Sequence, residues 1–561
     1  MQFFIDKAEK IRVKFPVDNS SDIILSDTQN MSVPQLSTFT STTVTEVIEI
    51  IKDMPSKHCS LDPIPTWVLK DHLCLVAPMI TKIVNESLEN GVVHAFLKAA
   101  ILKPLIKPPS KDYEDYANFR PVSNLPFLAK VLEKVVYSRL NTHLLKHNLL
   151  KANQSAYKKY HTTETGMLKI QNDILIALDQ NKVVALVMLD ISAAFDTVDH
   201  HRLLRCFNQK YGITGTALKW LKSYLSGRTQ RVSVLDAESF VALLKYGFPQ
   251  GAVLAGLFYN MYSGDLHDET EKYDAEHHGY ADDNGFYLAF SVDNKSSAVS
   301  SLQICVNDAK QWLNNNLLQV NDDKTKVMYF TPKKGMGYIQ DPITVGSILV
   351  PPSNPVKYLG IQMDSLLNLE SHVNLISQKA YYHLRNISKI RKTLDISSAR
   401  SLVQSLVISR IDYCNSLLTS FPKKLTNKLQ RVQNHAARVI CKKRKRDHMT
   451  PVLKELHWLP VRSRIRFKIL LLTYKCLIKL APSYLSDLIT LYRPPRTLRS
   501  NTALAGTLVE TRYKKLKHGG RSFSHVSPAF WNCLPSEIRE ASSVCSFKSM
   551  LKTHLFREFY Q

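Results

Sequence analysis

Three aspartates have the residue type and the setting needed to bind metal ions. Asp190 ends an apolar run, while Asp282 and Asp283 stand together in the tetrapeptide Tyr280-Ala281-Asp282-Asp283. Mg²⁺ prefers hard oxygen ligands, so a protein that binds it must bring carboxylates together. Two such ions about 3.5 to 4 Å apart can stabilise the attacking and the leaving oxygen of a displacement at phosphorus. The three aspartates are therefore candidates for transfer chemistry at phosphorus.

The elements around these aspartates decide whether they can meet. The run Val183–Leu189 is rich in Val and too short for a typical helix, so we predict a buried strand that ends at Asp190. Residues 278–287 are typical of a tight hairpin whose turn spans 282–285. The carboxylates approach one another if that strand and the hairpin are neighbours in one sheet. The alternative is ordinary, because an Asp after a strand is commonly a cap and a paired Asp in a loop is commonly solvated.

The net charge points to a polyanionic partner. The chain has 74 Lys and Arg against 48 Asp and Glu, a formal charge of +26. A surface field of that sign attracts nucleic acid, and the basic residues are spread along segments with helical or strand patterns rather than gathered in a tail. A ribosomal-type protein and a membrane-surface protein are the alternatives. With 561 residues, the chain is long enough for about two to four domains.

The cysteines and the apolar runs exclude other classes. The nine Cys form no CxxC pair, which favours a reducing compartment. His435, Cys441, His448 and His457 lack the spacing of a zinc site, and we expect no zinc there. No apolar run is long enough for a membrane span, and the amino terminus lacks the pattern of a signal peptide.

Helical and strand patterns intermingle up to about residue 360, which is typical of an α+β domain. Beyond that point helical patterns with many basic residues predominate. The predicted helices are 125–145, 167–178, 201–210, 216–225, 299–313, 371–391, 398–411 and 424–442. The other predicted strands are 231–235, 240–246 and 327–330, and a short strand followed by a loop is predicted over 101–109.

The order of several short motifs resembles one family. "LDISAAFDTVDH", residues 189–200, and "YADD", residues 280–283, resemble the two catalytic motifs of the reverse transcriptases of non-LTR retrotransposons, most closely the CR1 and Jockey-like groups. The resemblance runs from about residue 62 to the carboxyl end. It implies an α+β right-hand polymerase with fingers, a palm built on an antiparallel sheet and a helical thumb, followed by a helical carboxyl-terminal region.

The resemblance also implies domains and partners. We expect a linker or lead-in over 1–42, a helical extension over 43–94, fingers and palm over 95–365, a thumb over 366–430 and a basic carboxyl-terminal region over 431–561. The expected partners are an RNA template, a DNA primer and dNTPs, with no membrane. Because such elements act on chromosomes, we expect a nuclear protein, with the cytoplasm as a second location.

Particular residues acquire roles from the same resemblance. Asp190, Asp282 and Asp283 would bind two Mg²⁺ ions, with Mn²⁺ as the alternative ion. Phe195 matches the bulky residue that blocks a ribose 2′ hydroxyl, although it could equally be an ordinary core aromatic. Lys324, in "NDDKTKVMYF", would donate a proton to the departing pyrophosphate.

The nucleotide-binding residues come from two further motifs. Lys107 and Arg120 lie in the segment that resembles the fingers and would contact the triphosphate, since Lys offers a point charge and Arg a bidentate fork. Gln250 and Gly251, in "GFPQGAVLAGLFYNMY", would lie against the nascent base pair. Without the family, the cations would be read as solvated and the Gly as part of a helix-initiating turn. "YLG", residues 358–360, is similar to the primer-grip strand.

The carboxyl-terminal third is strongly basic. Between Lys423 and Arg446 the sequence has ten Lys or Arg and no Asp or Glu, a pattern expected for contact with a template or primer backbone. The run Lys442 to Arg446 also resembles a nuclear localisation signal. A plain solvated basic face is the alternative.

The chain departs from the family in two respects. Its loop after Gln250-Gly251 has Ala252 and Gly256 where the family's usual pattern has Ser and Pro, which predicts a shifted loop. Residues 1–42 leave no room for the endonuclease that precedes the polymerase in intact elements, so we expect an amino-terminally truncated copy. A catalytically inactive nucleic-acid-binding remnant is therefore the rival hypothesis. A group II intron maturase or telomerase-like polymerase is a third, against which the segment "LKELHWLPV" argues.

Overall fold

Helices and strands intermingle up to residue 363 and helices predominate in the described residues after it, as the sequence predicts. The computed structural model describes residues 1–15, 33–57, 59–107, 112–235, 237–336, 340–493 and 506–561. The helices are α1 Gln2–Arg12, α2 Val44–Asp53, α3 Thr66–Asp71, α4 Leu73–Asn90, α5 Phe127–Lys146, α6 Thr163–Asp179, α7 His200–Gln209, α8 Gly215–Leu225, α9 Ala255–Tyr262, α10 Leu266–Thr270, α11 Lys295–Asn315, α12 Glu370–Ile390, α13 Ile396–Val403, α14 Ser409–Asp412, α15 Lys423–Cys441, α16 Met449–Glu455, α17 Val461–Leu477, α18 Ser483–Ser486, α19 Phe523–Asn532, α20 Ser536–Arg539 and α21 Val544–Tyr560. The strands are β1 Ala99–Ile106, β2 Phe119–Asn124, β3 Val183–Leu189, β4 Thr229–Val234, β5 Ala237–Glu238, β6 Ala242–Leu243, β7 Glu276–Tyr280, β8 Asp283–Phe290, β9 Lys326–Phe330, β10 Ile343–Val345, β11 Ile348–Val350, β12 Val356–Tyr358 and β13 Ile361–Met363.

The chain forms two compact units. The first comprises Met1–Tyr157, Asp190–Lys272 and Asn307–Asp322. The second comprises Lys158–Leu189, Tyr273–Val306 and Asp323–Gln561. Each unit contains segments that are distant in the sequence, so neither can fold from one continuous stretch of chain.

An antiparallel sheet organises the second unit. Its strands lie in the order β7-β8-β3-β9, and every side chain of β3 is buried. β8 pairs along the whole of β3, from Val183 opposite Phe290 to Leu189 opposite Asn284, and β9 pairs along the other edge. Because both faces are covered and both edges are bonded, the register is fixed, since a shift of one residue would turn each side chain to the other face. The prediction that Val183–Leu189 is a buried strand is confirmed, and the condition that the hairpin be its neighbour in one sheet is met.

The rest of the second unit is mainly helical. α6 starts at a capping box formed by Thr162 and Thr165, and its buried residues join the sheet, α12, α15 and α17 in one apolar core. The predicted helical patterns at 371–391 and 424–442 are confirmed by α12 and α15. The predicted helix 398–411 is interrupted by a π-helical turn at Gln404–Ile408.

A mixed sheet lies in the first unit. Its path is β2-β1-β4-β5, with β6 also paired to β4. β1 pairs antiparallel with β2 and parallel with β4. Helix α5 follows β2 with buried apolar residues on most of its length, and α7, α8 and α9 pack together through aromatic rings such as Phe207 and Phe258, whose centroids are 4.9 Å apart.

Some predicted elements differ from the observed ones. The predicted strand 240–246 is reduced to β6, which has two residues and pairs only at Ala242 and Leu243. Phe240, Val241 and Leu243 are exposed, so the apolar pattern there does not reflect burial. Within the predicted lead-in, residues 16–32 lie outside the described residues, whereas Gln2–Arg12 forms α1.

None of the described helices combines the length and the apolar character needed to cross a membrane. The nine cysteines are all free thiols.

Two deeply buried histidines make the stability of the second unit depend on pH. His372 and His518 are 4% and 2% exposed, and burial lowers the pKa of each from 6.5 to about 4. Between these values the unfolded chain binds protons that the folded chain does not, so stability falls as the pH falls from 6.5 towards about 4.

We expect His518→Gln to remove part of this dependence. At about pH 5 the wild type should lose about 1 to 2 kcal/mol more of its free energy of unfolding, relative to about pH 7.5, than the variant loses. Urea denaturation at both pH values measures the difference, with the exposed His201→Gln as control. An equal loss in the wild type and His518→Gln would contradict the prediction.

Candidate active site

The hairpin β7–β8 carries two of the predicted carboxylates. Tyr280 pairs with Asp283, so the turn consists of Ala281 and Asp282 only. Ala281 has a positive φ of 57°, as the first residue of such a turn requires. The sequence prediction that the turn spans 282–285 is therefore wrong, because Asp283, Asn284 and Gly285 already belong to β8.

The buried side chains of Asn284 and His277 restrain this turn. Asn284 donates from Nδ2 to the carbonyl oxygen of Asp282 at 3.1 Å, and its Oδ1 lies 3.1 Å from Nε2 of His277. The His277 ring is stacked on Phe286 at 4.6 Å. Neither Asn284 nor His277 was predicted to support the turn, because the hairpin sequence has several polar residues and nothing in it singles out this pair.

Asp190 follows the strand that pairs with this hairpin. Leu189, the last residue of β3, lies opposite Asn284, and Asp190 is the next residue of the chain. The carbonyl oxygen of Asp190 accepts the N–H of Asn321 at 2.7 Å. This hydrogen bond therefore restrains the backbone at Asp190, the predicted metal ligand, where the chain leaves β3.

Lys324 lies just before the strand on the other edge of β3. It is exposed and ends the 3₁₀ turn Asp322–Lys324. The pairing of β9 with β3 starts at Lys326, opposite Met188. Because β8 and β9 both run antiparallel to β3, Lys324 and the turn at Asp282 lie towards the same end of this sheet.

The described part of the chain contains no group of three or more His, Cys, Asp or Glu side chains already arranged to hold a metal ion. The donor chemistry nevertheless fits Mg²⁺, because carboxylate oxygens are its preferred protein ligands. Mg²⁺ usually binds through one or two carboxylates, with water and substrate phosphates completing its shell. A closed protein cage is therefore not required for these aspartates to act as ligands.

The first unit brings the two predicted phosphate-binding cations onto one hairpin. β1 and β2 pair with Leu105 opposite Arg120, and the N–H of Lys107 continues the ladder to the carbonyl oxygen of Asn118 at 2.7 Å. Side chains alternate between the faces of a strand, so Lys107, Leu105 and Arg120 belong to the same face. Arg120 is exposed and Lys107 half-buried, with its Nζ donating to the Ala117 carbonyl oxygen at 2.7 Å.

Phe195 and Gln250 lie in the same unit, where Gln250 bonds to the residue that follows Phe195. The Phe195 ring is half-buried and stacks on Tyr259 with centroids 4.8 Å apart. Gln250 donates from Nε2 to Asp196 Oδ1 at 2.8 Å, and burial raises the pKa of Asp196. Gly251 has φ of 107°, a backbone conformation that favours glycine.

The loop that contains Gln250 is also bonded to the hairpin that carries Lys107 and Arg120. The carbonyl oxygen of Gln250 accepts the N–H of Ser123, in β2, at 2.9 Å. Three predicted binding elements of the first unit, namely the hairpin, Phe195 and the Gln250 loop, are therefore linked by direct hydrogen bonds or by adjacent residues.

Comparison with known proteins finds similar sequences. The family described as "Reverse transcriptase (RNA-dependent DNA polymerase)" matches residues 107–363. The chain is 27% identical over 410 residues to "Probable RNA-directed DNA polymerase from transposon BS" of Drosophila melanogaster, which covers 71% of this chain and 44% of that protein. It is 26% identical over 424 residues to "RNA-directed DNA polymerase from mobile element jockey" of the same organism, covering 73% and 44%. The chain thus spans less than half the length of these relatives.

Replacing Asn284 tests the support of the turn. Asn284→Ala removes the donor to Asp282 and the acceptor beside His277, and leaves buried groups without their partner. We expect a loss of about 1 to 3 kcal/mol in the free energy of unfolding and faster amide exchange in residues 280–285. Urea denaturation and hydrogen exchange measure both effects, with the exposed Asn294→Ala as control. Unchanged exchange in Asn284→Ala would show that the turn does not depend on this side chain.

Proposed function

We propose that this chain, whose residues 107–363 form a reverse transcriptase domain of the LINE-type, non-LTR retrotransposon kind, copies RNA into DNA. Its substrates are dNTPs, an RNA template and the 3′ hydroxyl of a DNA primer. The observation that carries the proposal is the pairing of β3 with β8. This pairing makes the strand that precedes Asp190 the neighbour of the hairpin that bears Asp282 and Asp283.

The carboxylates would bind the metal ions of the reaction. Asp190, Asp282 and Asp283 would hold two Mg²⁺ ions, or Mn²⁺ in their place. When bound, such ions stabilise the attacking and the leaving oxygens of the displacement. The protein's own part is to keep the ligands in position, and Asn284, which donates to the Asp282 carbonyl oxygen, supports this role.

The other residues act on the nucleotide. Lys107 and Arg120 would bind the triphosphate, which suits their position on one face of an exposed hairpin. Phe195 would exclude a ribose 2′ hydroxyl, and its stacking on Tyr259 would limit its movement.

Two further residues complete the proposed roles. Gln250, with Gly251, would lie against the nascent base pair. Lys324 would give a proton to the departing pyrophosphate. Its exposure leaves room for substrate to approach.

The polymerase layout belongs to the same proposal. We assign the fingers and palm to residues 95–365, the thumb to 366–430 and the basic carboxyl-terminal region to 431–561, with a lead-in over 1–42 and a helical extension over 43–94. The antiparallel sheet around β3 supports the assignment of the palm. The basic helix α15 supports the proposal that the thumb and the region after it contact nucleic-acid phosphates. We place the protein in the nucleus, and in the cytoplasm as a second location.

A catalytically inactive, nucleic-acid-binding remnant is the second candidate. The observation that favours it is the pair of departures at Ala252 and Gly256, next to the proposed nucleotide-binding loop. Such a remnant would retain its affinity for RNA through the basic surface but would add no nucleotide. Binding that weakens with salt fits both candidates, so only nucleotide addition separates them.

Asp282→Asn tests the proposal. The amide keeps the shape of the side chain but cannot bind Mg²⁺ as a carboxylate does, so we expect primer extension on poly(A) with oligo(dT) and dTTP to fall at least about 100-fold. Asp293→Asn, an exposed change after the far end of β8, is the matched control and should extend primers like the wild type.

Two results would count against the proposal. Extension by Asp282→Asn at the wild-type rate would overturn the assignment of the metal ligand. A folded wild type that binds RNA but adds no dTMP would favour the inactive remnant.

A further inference from the structure

A buried carboxylate in α5 has a role that the proposed catalytic residues do not explain. Glu133 is 1% exposed and is the only acidic residue in the sequence of α5. Burying a charged group is costly unless hydrogen bonds and a countercharge compensate for the lost water. The groups that compensate Glu133 therefore show what it holds in place.

Its partners lie on two other segments. Glu133 Oε2 accepts the N–H of Val253 at 2.6 Å, and Oε1 accepts the hydroxyl of Tyr224 at 2.9 Å. The N–H of Leu254 also bonds to the carboxylate. Burial raises the pKa of Glu133, whereas the nearby charge of Arg228 and these hydrogen bonds oppose that shift.

Arg228 is the countercharge of Glu133, and its guanidinium bonds to Tyr224 rather than to the loop. Its guanidinium lies over the Tyr224 ring at 4.5 Å and donates to the Tyr224 carbonyl oxygen at 3.0 Å. The backbone N–H groups that the carboxylate accepts are thus those of Val253 and Leu254, the two residues that precede α9.

These two residues end the loop that carries Gln250. No side chain caps α9 at Leu254, so Glu133 satisfies backbone N–H groups that a local cap would otherwise bond. At its other end the loop is fixed by the bond of Gln250 to Asp196 at 2.8 Å. Only Gly251 and Ala252 lie between these two attachments, so a shift of Val253 must move Gln250.

The local sequence gives the loop little rigidity of its own. Ala252 lacks the hydroxyl with which a Ser could bond the backbone. Gly256, near the start of α9, lacks the ring with which a Pro would fix φ. A Cβ on Gly256 would lie 2.4 Å from the ring of Tyr157, so the aromatic ring occupies the space that a side chain at this position would need. The loop is therefore held from outside, by Glu133 and by packing.

We propose that Glu133 is a positioning residue for nucleotide selection, because it fixes the loop that places Gln250 against the nascent base pair. This inference rests on the proposed function. Loss of the anchor leaves the chemistry of the carboxylates intact but loosens the surface against which a matched base pair is tested. Discrimination between matched and mismatched dNTPs should fall, since that discrimination depends on the geometry of the bound pair.

Glu133→Gln and Tyr224→Phe form the test. The glutamine keeps the volume and one acceptor oxygen but loses the charge and the second acceptor, whereas Tyr224→Phe removes one donor to Glu133 and leaves both amide contacts. We expect both variants to melt at a lower temperature. The ratio of kcat/KM for matched over mismatched dNTPs should fall about tenfold in Glu133→Gln only, and amides 253 and 254 should exchange faster in that variant only.

The ratio separates positioning from a general loss of stability, because it compares two substrates on the same active molecules. An unchanged ratio in Glu133→Gln, or an equal fall in Tyr224→Phe, would overturn the inference. A wild type that adds no nucleotide would contradict the proposed function instead. The exchange rates would then decide by themselves whether Glu133 fixes the loop, and equal rates in both variants would overturn that claim.

Discussion

The hydrogen bonds of β3 on both of its edges are the constraint on which the second unit depends. All seven of its side chains are buried, so its N–H and C=O groups must find their partners within the protein. β8 and β9 supply those partners, and each is fixed in register by the same burial. As a result, the turn of the β7–β8 hairpin, the 3₁₀ turn that contains Lys324 and the end of β3 at Leu189 follow from a single set of pairings.

Apolar burial fixes the strand pairing, and a few polar contacts then fix the positions of individual residues. The hairpin register leaves Asp282 in a two-residue turn, and Asn284 and His277 restrain that turn from within the sheet. In the first unit the same division holds. Apolar packing forms the body of α5, α8 and α9, whereas a few hydrogen bonds fix the loop at 250–254: Val253 N–H to Glu133, Ser123 N–H to the Gln250 carbonyl oxygen, and Gln250 Nε2 to Asp196. The residues proposed for chemistry are thus held by neighbours that take no part in it.

The sequence predicted the elements with strong apolar patterns and failed where pairing or distant polar contacts decide. Val183–Leu189 was predicted with its observed bounds because a short Val-rich run between polar residues has few other uses. The turn was misplaced because Asp283 and Asn284 are typical turn residues, yet the pairing of Tyr280 with Asp283 draws them into β8. The strand at 240–246 was overestimated because its apolar residues are exposed. Glu133 could not be assigned, since its partner at Val253 is 120 residues away and no local pattern records that contact.

Metal-directed cleavage of the backbone would show whether Asp190 and Asp282 serve one metal site, as we propose. Fe²⁺ takes the place of Mg²⁺ and, with ascorbate and peroxide, cuts the chain close to where it binds. We expect cuts near both residue 190 and residue 282 that excess Mg²⁺ suppresses, with both cuts lost in Asp190→Ala and in Asp282→Ala. Cleavage near one residue only, or a cut near 282 that persists in Asp190→Ala, would contradict a shared site.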